Sequence, residues 1–379
     1  MFWRRRTIVQ VGLFLFLFIG VANAEPQWAL VSVEGPAPRA HHAMAWDSCR
    51  DVVVLFGGDY DGTLSGRFGD TWEWNGSEWI LRSTTGPTPR TGHAMSFDST
   101  RCRTVLFGGA GESNALDDTW EWNGTTWTQE CTNGCTHPAG RYASGMTYDP
   151  AHQVIVLFGG TLPGSTFLND TWKWDGSTWM EVPTTAPRPS PRTAPAMGYD
   201  PASQRIVLFG GSLVPMICGA VSDETWDLDL STNPATWTAI MTSPHPSPRI
   251  VGSQIVYDPI GVRMLLFGGT DFCSTSFSDT WAYNAGMWTQ IPTPTAPAAR
   301  HSHDMVYDTM RQEVVLFGGD LGPINNYDVR GDTWSFGNRA YSIPAVGTWG
   351  LAATMLLLLC AGSVVVMRRG RSLAAGPHP

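Results

Sequence analysis

The chain has 379 residues, a formal net charge of −9 at pH 7 and 11% aromatic residues, among them 18 tryptophans. Two terminal segments contain six arginines and no acidic residue, so the remaining body has 18 basic and 33 acidic residues, a net charge of about −15. Such a body is long enough to bury a large core, and its charge argues against nucleic acid or an anionic membrane surface as a partner.

Residues 1–24 have the three parts of a secretory signal peptide. Residues 4–6 are arginines, residues 8–21 are apolar, and residues 22–24 have the small side chains of a cleavage site. We therefore expect the chain to be exported. An uncleaved anchor at this end is the alternative.

The body of the chain is a repeat with a period of about 50 residues. A pair of glycines follows a short apolar run six times, and the second glycine is Gly58, Gly109, Gly160, Gly211, Gly269 or Gly319. Each unit has four apolar runs, called strands a to d. In unit two they are residues 93–97, 103–107, 119–122 and 126–129. Asn123 and Gly124 form a tight-hairpin signal between the last two, and four antiparallel strands per unit predict a β-propeller blade.

The sixth unit stops after its strand c. Its missing strand d has a counterpart at the start of the body, where residues 27–33 resemble residues 78–81 around a tryptophan. We therefore expect Trp28 to supply strand d of blade six. That strand would close a ring of six blades over residues 25–338, in which every blade buries both of its apolar faces.

These features resemble the kelch repeat, which has a glycine doublet after an apolar strand, an aromatic residue in strand c and a tryptophan in strand d. The resemblance covers residues 27–337 in six concordant copies. It implies an all-β propeller of six or seven blades, and the count of units favours six. It also implies a binding function, as in most members of that family.

The repeated tryptophans have a structural explanation. In strand c they are Trp72, Trp120, Trp172, Trp226, Trp281 and Trp334. In strand d they are Trp79, Trp127, Trp179, Trp237, Trp288 and Trp28. We expect these side chains to pack in the core, where each buries about 150–250 Å². The aromatic residues outside the repeat, Tyr60, Phe272 and Tyr327, are the candidates for ligand contacts.

The b–c connections differ from blade to blade, and in an up-and-down blade they share one face with the d–a connections. They are residues 59–69, 110–117, 161–169, 212–223, 270–278 and 320–331. Variable loops on a rigid scaffold are the usual location of binding. We therefore expect a ligand on this face, over the mouth of the central channel.

An arginine opens each unit at the d–a entry, and an acidic residue precedes each strand c on the same face. The arginines are Arg39, Arg90, Arg141, Arg192, Arg249 and Arg300. The acids are Asp70, Asp118, Asp170, Glu224, Asp279 and Asp332. The two sets either pair with each other, or part of an arginine ring near the axis binds an anionic or sugar ligand bidentately.

Three histidines hold equivalent places in strand a of blades that are neighbours in the ring: His42, His93 and His303. Side chains of strand a point towards neighbouring blades, so we expect packing or hydrogen bonding at these positions. A metal site is the alternative, and we expect no cofactor.

Seven cysteines in an exported chain indicate disulfides. Cys360 lies in an apolar terminal segment and is set aside. The strand assignments place the other six in pairs on one face of neighbouring blades or within one loop. The expected pairs are Cys49–Cys102, Cys131–Cys135 and Cys218–Cys273.

The C-terminal segment has the layout of a membrane anchor. Residues 349–367 are uncharged and long enough for a transmembrane helix, and the arginines of residues 368–379 predict a cytoplasmic tail. Residues 339–348 form a linker in which the stretch from Ile343 resembles the bacterial IPTL-type sorting signal, although Val346, Gly347 and Thr348 depart from its pattern. The resemblance implies a surface protein handled by a membrane sorting protease. A plain single-pass anchor is the alternative.

Three functions fit these observations. The first is a non-catalytic module that binds an extracellular protein or glycan. The second is a propeller enzyme acting on sugars, similar to galactose oxidase or to a sialic-acid mutarotase. The third is a purely structural surface protein. The expected disulfides occupy the cysteines, no tyrosine–histidine set clusters in the loops, and motifs of other enzyme classes are lacking. The first function is therefore favoured, and no catalytic residue is assigned.

Overall fold

The computed structural model describes residues 26–337, except residues 133, 216–218, 253, 274 and 323–326. Over these residues the chain forms six four-stranded antiparallel sheets, each with its strands in the order a-b-c-d. The all-β, six-bladed propeller is confirmed. The predicted signal peptide, sorting motif, transmembrane helix and basic tail lie outside the described residues. No helix in the described ranges is long and apolar enough to cross a membrane.

Each blade, from one to six, contributes one strand of every type. The innermost strands, a, are Ala43–Asp47, Ala94–Asp98, Gly145–Asp149, Ala196–Asp200, Val256–Asp258 and Asp304–Asp308. Strands b are Val52–Phe56, Arg103–Phe107, Val154–Phe158, Arg205–Phe209, Arg263–Phe267 and Glu313–Phe317. Strands c are Thr71–Trp74, Thr119–Trp122, Thr171–Trp174, Thr225–Asp229, Thr280–Asn284 and Thr333–Gly337. Strands d are Trp79–Ser83, Trp127–Glu130, Trp179–Glu181, Thr236–Ile240, Met287–Ile291 and Gln27–Ser32.

Two b–c connections contain short elements of their own. In blade one a 3₁₀ turn covers Leu64–Gly66, and in blade three Thr161–Leu162 pairs with Thr166–Phe167 as a small hairpin. We call the face that carries the b–c and d–a connections the cavity face. The face with the a–b and c–d turns is the opposite face.

The first strand of the chain completes the last sheet. Gln27–Ser32 runs antiparallel to Thr333–Gly337, with Trp28 opposite Phe336. The Trp28 side chain is 3% exposed, and its ring lies 4.9 Å from that of Phe267 in blade five. The predicted closure of the ring by Trp28 is therefore confirmed.

The core lies between blades rather than within them. One cluster joins Val54 and Phe56 of blade one to Met95 and Leu106 of blade two. Strand b of blade one is buried along its whole length, which explains its continuous run of apolar residues. A single blade has no second layer to cover its faces, so the fold depends on the complete ring.

The strand-d tryptophans also join neighbouring blades by hydrogen bonds. Each indole Nε1–H donates to the threonine hydroxyl that opens strand c of the preceding blade, over 2.8 to 3.4 Å. The pairs are Trp79–Thr333, Trp127–Thr71, Trp179–Thr119, Trp237–Thr171, Trp288–Thr225 and Trp28–Thr280. These bonds give each buried indole N–H a partner, which burial requires.

Two of the expected disulfides are present. Cys49–Cys102 joins the a–b turns of blades one and two across 53 residues of sequence, and Cys131–Cys135 closes a short loop after strand d of blade two. Cys273 is also disulfide-bonded, and its expected partner Cys218 lies outside the described residues.

We expect the Cys49→Ser/Cys102→Ser variant to lose about 4 kcal/mol of unfolding free energy, because the disulfide closes a long loop in the unfolded chain. The Cys131–Cys135 disulfide closes only a short loop, so the matched Cys131→Ser/Cys135→Ser variant should lose about 2 kcal/mol of unfolding free energy. Denaturant unfolding under non-reducing conditions measures both. Equal losses, or peptide mapping that finds other pairs, would contradict the assignment.

Candidate functional site

The six d–a arginines are buried and paired with the acids that precede strands c. Their exposed fractions are between 0% and 2%, and the closest N···O distances are between 2.5 and 2.7 Å. The pairs are Arg39–Asp70, Arg90–Asp118, Arg141–Asp170, Arg192–Glu224, Arg249–Asp279 and Arg300–Asp332. Each pair lies within one blade, at the point where three of its strands meet the cavity face.

Arg90 illustrates how the N–H groups of such a guanidinium are used in hydrogen bonds within the protein. It donates to the carbonyl oxygens of Thr88 and Gly108, each over 3.0 Å, and to both carboxylate oxygens of Asp118. Trp120 donates its indole N–H to the same carboxylate. Burial raises the pKa of Asp118, but the hydrogen bonds and charge of Arg90 outweigh it and hold that pKa below its usual value. The geometry is that of intramolecular pairing, so these arginines have little capacity left to bind a ligand.

The three equivalent histidines pack edge-on against phenylalanine rings of the preceding blade. The ring centroids of His42 and Phe317 lie 5.4 Å apart, and His93 and His303 make the same contact. Burial, followed by the charge of the nearby arginine, lowers the pKa of His93 and of His303 to about 3. These rings are therefore neutral packing groups. Among the described residues, no three ligating side chains are placed to hold a metal ion.

A cavity of about 580 Å³ opens at the centre of the cavity face, over the channel. Around it runs a ring of residues from all six blades: His41, Gly92, Ala143, Ala194, Gly252 and Ser302. Their φ angles lie between 49° and 65°. Backbone hydrogen bonds link neighbours in the ring, as from Gly92 N to the His41 carbonyl and from Ala143 N to the Gly92 carbonyl. Mostly small side chains at this ring leave room for a ligand.

The polar side of the cavity lies at blades one and six. His41 Nδ1 is 3.0 Å from Asp59 Oδ1, and His301, Asp320 and Tyr327 complete this side. Burial lowers the pKa of His41, but the hydrogen bond to Asp59 and the charges of Asp59 and Asp320 outweigh it and raise that pKa. Burial, followed by the same two charges, raises the pKa of Tyr327 to about 12. Asp59 and Asp320 therefore give this side of the cavity a negative electrostatic potential.

Two polar side chains form the floor of the cavity and cap the inner edges of strands a. Gln254 Nε2 donates to the Met44 carbonyl over 3.1 Å and to the Met95 carbonyl over 3.3 Å. The Asp304 carboxylate accepts backbone N–H groups of Met44, Met305 and Gln254. Because Gln254 of blade five bonds to blades one and two, its side chain crosses the channel below the cavity, whereas Asp304 of blade six joins the neighbouring blades one and five.

Comparison with known proteins agrees with this architecture. A model of the KLHDC2/KLHL20/DRC7 Kelch-repeats domain matches residues 15–211 and 121–319. The chain belongs to this kelch-repeat family. Human host cell factor 2 is 27% identical over 266 residues, which are 64% of this chain and 32% of that protein. Putative adagio-like protein 2 of rice (Oryza sativa subsp. japonica) is 28% identical over 181 residues, 44% of this chain and 26% of that protein.

This kelch chain spans about a third or less of the length of those two relatives. Among solved structures it is similar to YjhT, with a TM-score of 0.62 and 14% identity over 80% of this chain and 96% of that one. At that identity the likeness shows the fold alone.

Asp304, on the floor of the cavity, should make the stability of the protein depend on pH. Burial raises the pKa of Asp304 to about 7, although three backbone N–H groups favour its charged form. A carboxyl whose pKa is higher in the folded state contributes stability below pH 4, and that contribution is lost as the pH rises to 7. The unfolding free energy of the wild type should therefore fall, relative to that of Asp304→Asn, between pH 4 and pH 7. Denaturant unfolding across this range measures the difference, and parallel curves would contradict it.

The predicted aromatic residues are divided between the cavity and its surroundings. Phe272 and Tyr327 line the cavity, whereas Tyr60 does not line it and packs against Phe68 at 5.9 Å. The polar residues of the cavity were not predicted from the sequence, and the expectation that no tyrosine–histidine set clusters in the loops is wrong, because Tyr327 lies beside His41 and His301 there. The available signal was the position after each glycine doublet, which is acidic only at Asp59 and Asp320.

Proposed function

We propose that this kelch propeller is a non-catalytic binding module that engages an extracellular protein or glycan through the cavity face. The observation that carries the proposal is the cavity of about 580 Å³ with convergent polar groups, placed among the b–c loops that differ from blade to blade. Cavities of this size and composition are typical ligand sites. Exposed apolar side chains on loops of the same face, Tyr60, Leu213, Val214 and Tyr327, add contact area around its mouth.

Export and anchoring are part of the proposal. The signal-like residues 1–24 and the apolar residues 349–367 support them. The two disulfides also support them, because disulfides persist in oxidising compartments outside the cytoplasm. The sorting signal that residues 339–348 resemble would make a membrane sorting protease a further partner.

The test compares two faces of the full-length chain on glycan and protein arrays. Tyr327→Ala/Phe272→Ala removes two side chains of the cavity, and Ile260→Ala/Met310→Ala removes two exposed apolar side chains of the opposite face. We expect the first variant to lose at least ten-fold in affinity for whatever the wild type binds, and the second to change by less than two-fold. Equal losses, or loss only in the second variant, would overturn the proposal.

A further inference from the structure

On the polar side of the cavity, one position of the repeat carries residues that differ from those of most other blades. The residue after each glycine doublet faces the d–a entry of its blade through an isolated β-bridge, and in blade order these residues are Asp59, Ala110, Thr161, Ser212, Thr270 and Asp320. Only blades one and six, which are neighbours in the ring, carry an acid there. Both carboxylates line the cavity, and both residues are 3% exposed. The ring thus concentrates two negative charges on one side of the cavity.

We propose that Asp59 and Asp320, together with the Tyr327 ring, bind a cationic group of the ligand, either an ammonium or a guanidinium. This inference rests on the proposed function and names the chemistry that the same cavity recognises. A lysine or arginine side chain of a partner protein would supply such a group, as would an amine on another ligand.

One histidine, His41, is the counter-charge that the protein offers to Asp59, whereas the partners of Asp320 are backbone N–H groups. Asp59 contacts the His41 ring and the Thr91 hydroxyl, and Asp320 accepts the backbone N–H groups of Gly322 and Asp328. Within the described ranges no arginine or lysine forms an ion pair with either carboxylate. The acids before strands c, by contrast, each have an arginine. A buried carboxylate that has no arginine or lysine partner is costly, and the single histidine cannot neutralise both Asp59 and Asp320, so a ligand cation would be stabilised between them.

The cavity also contains a cation, Arg67, and an aromatic ring, Tyr327. Arg67 lines the cavity, but it donates to the Gly111 carbonyl of blade two, away from blade six. Tyr327 is 39% exposed, and its ring centroid lies 6.5 Å from that of His41. An aromatic face beside carboxylates is a favourable environment for an ammonium or guanidinium ion. An anionic group would instead meet two like charges.

Acidic residues outnumber the two arginines, Arg67 and Arg330, in the b–c loops around the cavity and extend the negative field. They are Asp61, Glu112, Asp117, Asp223, Asp271 and Asp328. Their summed potential steers a cation towards the cavity face, an effect that salt screens over about 10 Å at 0.1 M. Contact with the buried Asp59 and Asp320 is screened less. An experiment can therefore separate the contribution of direct contact with these two carboxylates from that of the field of the whole face.

The experiment uses the full chain and two matched probes, Nα-acetyl-lysine methylamide and its Nε-acetylated, uncharged counterpart. Ligand-observed NMR or calorimetry measures both affinities at low salt. We expect the charged probe to bind at least ten-fold more tightly. Asp59→Asn and Asp320→Asn should each weaken it at least ten-fold, whereas Asp117→Asn, which removes the same charge from an exposed loop site, should change it by less than two-fold.

Equal binding of the two probes would overturn the inference, as would no binding of either. An Asp117→Asn loss as large as that of Asp320→Asn would also overturn it, because the field of the whole face would then account for binding. The wild-type comparison does not depend on how the variants fold. If the probes fail while Tyr327→Ala/Phe272→Ala still loses its array ligand, only the cation assignment fails. If both experiments fail, the proposed function fails as well.

Discussion

The Arg90→Ala variant is expected to unfold with about 3–5 kcal/mol less free energy than the wild type. Arg90 is 0% exposed, and its loss leaves the Asp118 carboxylate with only Trp120 as a hydrogen-bonding side chain. It also leaves the Gly108 carbonyl without its guanidinium donor. The d–a entry, the end of strand b and the start of strand c would then be joined by backbone hydrogen bonds alone. Denaturant unfolding at neutral pH measures the loss.

Arg188→Ala is the matched control. Arg188 is exposed in a d–a connection on the same face, so its removal should change the unfolding free energy by no more than about 0.5 kcal/mol. A double-mutant cycle with Asp118→Ala then isolates the pair, and a favourable coupling between the two residues is expected. A loss in Arg90→Ala no larger than that of the control would contradict a structural role for the arginine ring.

The same variant should show a defined dependence on pH. The pKa of Asp118 is lowered in the folded protein: burial raises it, but the hydrogen bonds and charge of Arg90 prevail. A carboxylate of this kind contributes stability above its unfolded pKa, near 4, and the contribution is lost as the pH falls through the lower folded value. The difference between wild type and Arg90→Ala should therefore shrink on acidification below pH 4. A difference that stayed constant would show that packing of the Arg90 stem dominates.

The fold could be predicted because its signals repeat. A glycine doublet with positive φ angles, as at Gly108 and Gly109, follows each strand b. A side chain does not fit there because the backbone lies too close to neighbouring segments of the propeller. The count of these doublets gave six blades. The similarity of residues 27–33 to a strand d gave the closure. The doublet occurs six times, so an error at one unit is corrected by the others, and the closing strand was recognised because it matches the strand d that the other five units contain.

The candidate site was less predictable because it depends on departures from the repeat. The arginines recur in every blade, and that regularity is typical of a structural pair rather than of an asymmetric ligand site. Asp59 and Asp320 stand where the other four units have alanine, threonine or serine, and Gln254 is a further departure from the repeat. Which of these side chains reach the cavity depends on the direction of strand a and on the tilt of the loops. Periodicity does not encode either property, so only Phe272 and Tyr327 among the predicted contacts line the cavity.

The Trp28→Ala variant is the second large effect, with an expected loss of about 3–5 kcal/mol in unfolding free energy. The Trp28 ring lies between Phe267 of blade five and Phe336 of blade six, and its indole N–H donates to Thr280 over 2.9 Å. Its removal would open a cavity at the junction where the first and last strands meet. Denaturant unfolding measures the loss.

Two further variants separate the contributions that the indole hydrogen bond and the strand pairing make to this closure. Trp28→Phe keeps an aromatic ring and loses the bond to Thr280, so it should cost about 1 kcal/mol for that hydrogen bond in addition to a packing loss smaller than that of Trp28→Ala. Deletion of residues 26–33 would leave the Thr333–Gly337 edge unpaired, and a free edge of this kind promotes association between molecules. Size-exclusion chromatography should then show oligomers. A monomeric deletion variant with wild-type stability would mean that the ring holds without its closing strand, and the core between blades five and six would have to be explained by strands a to c alone.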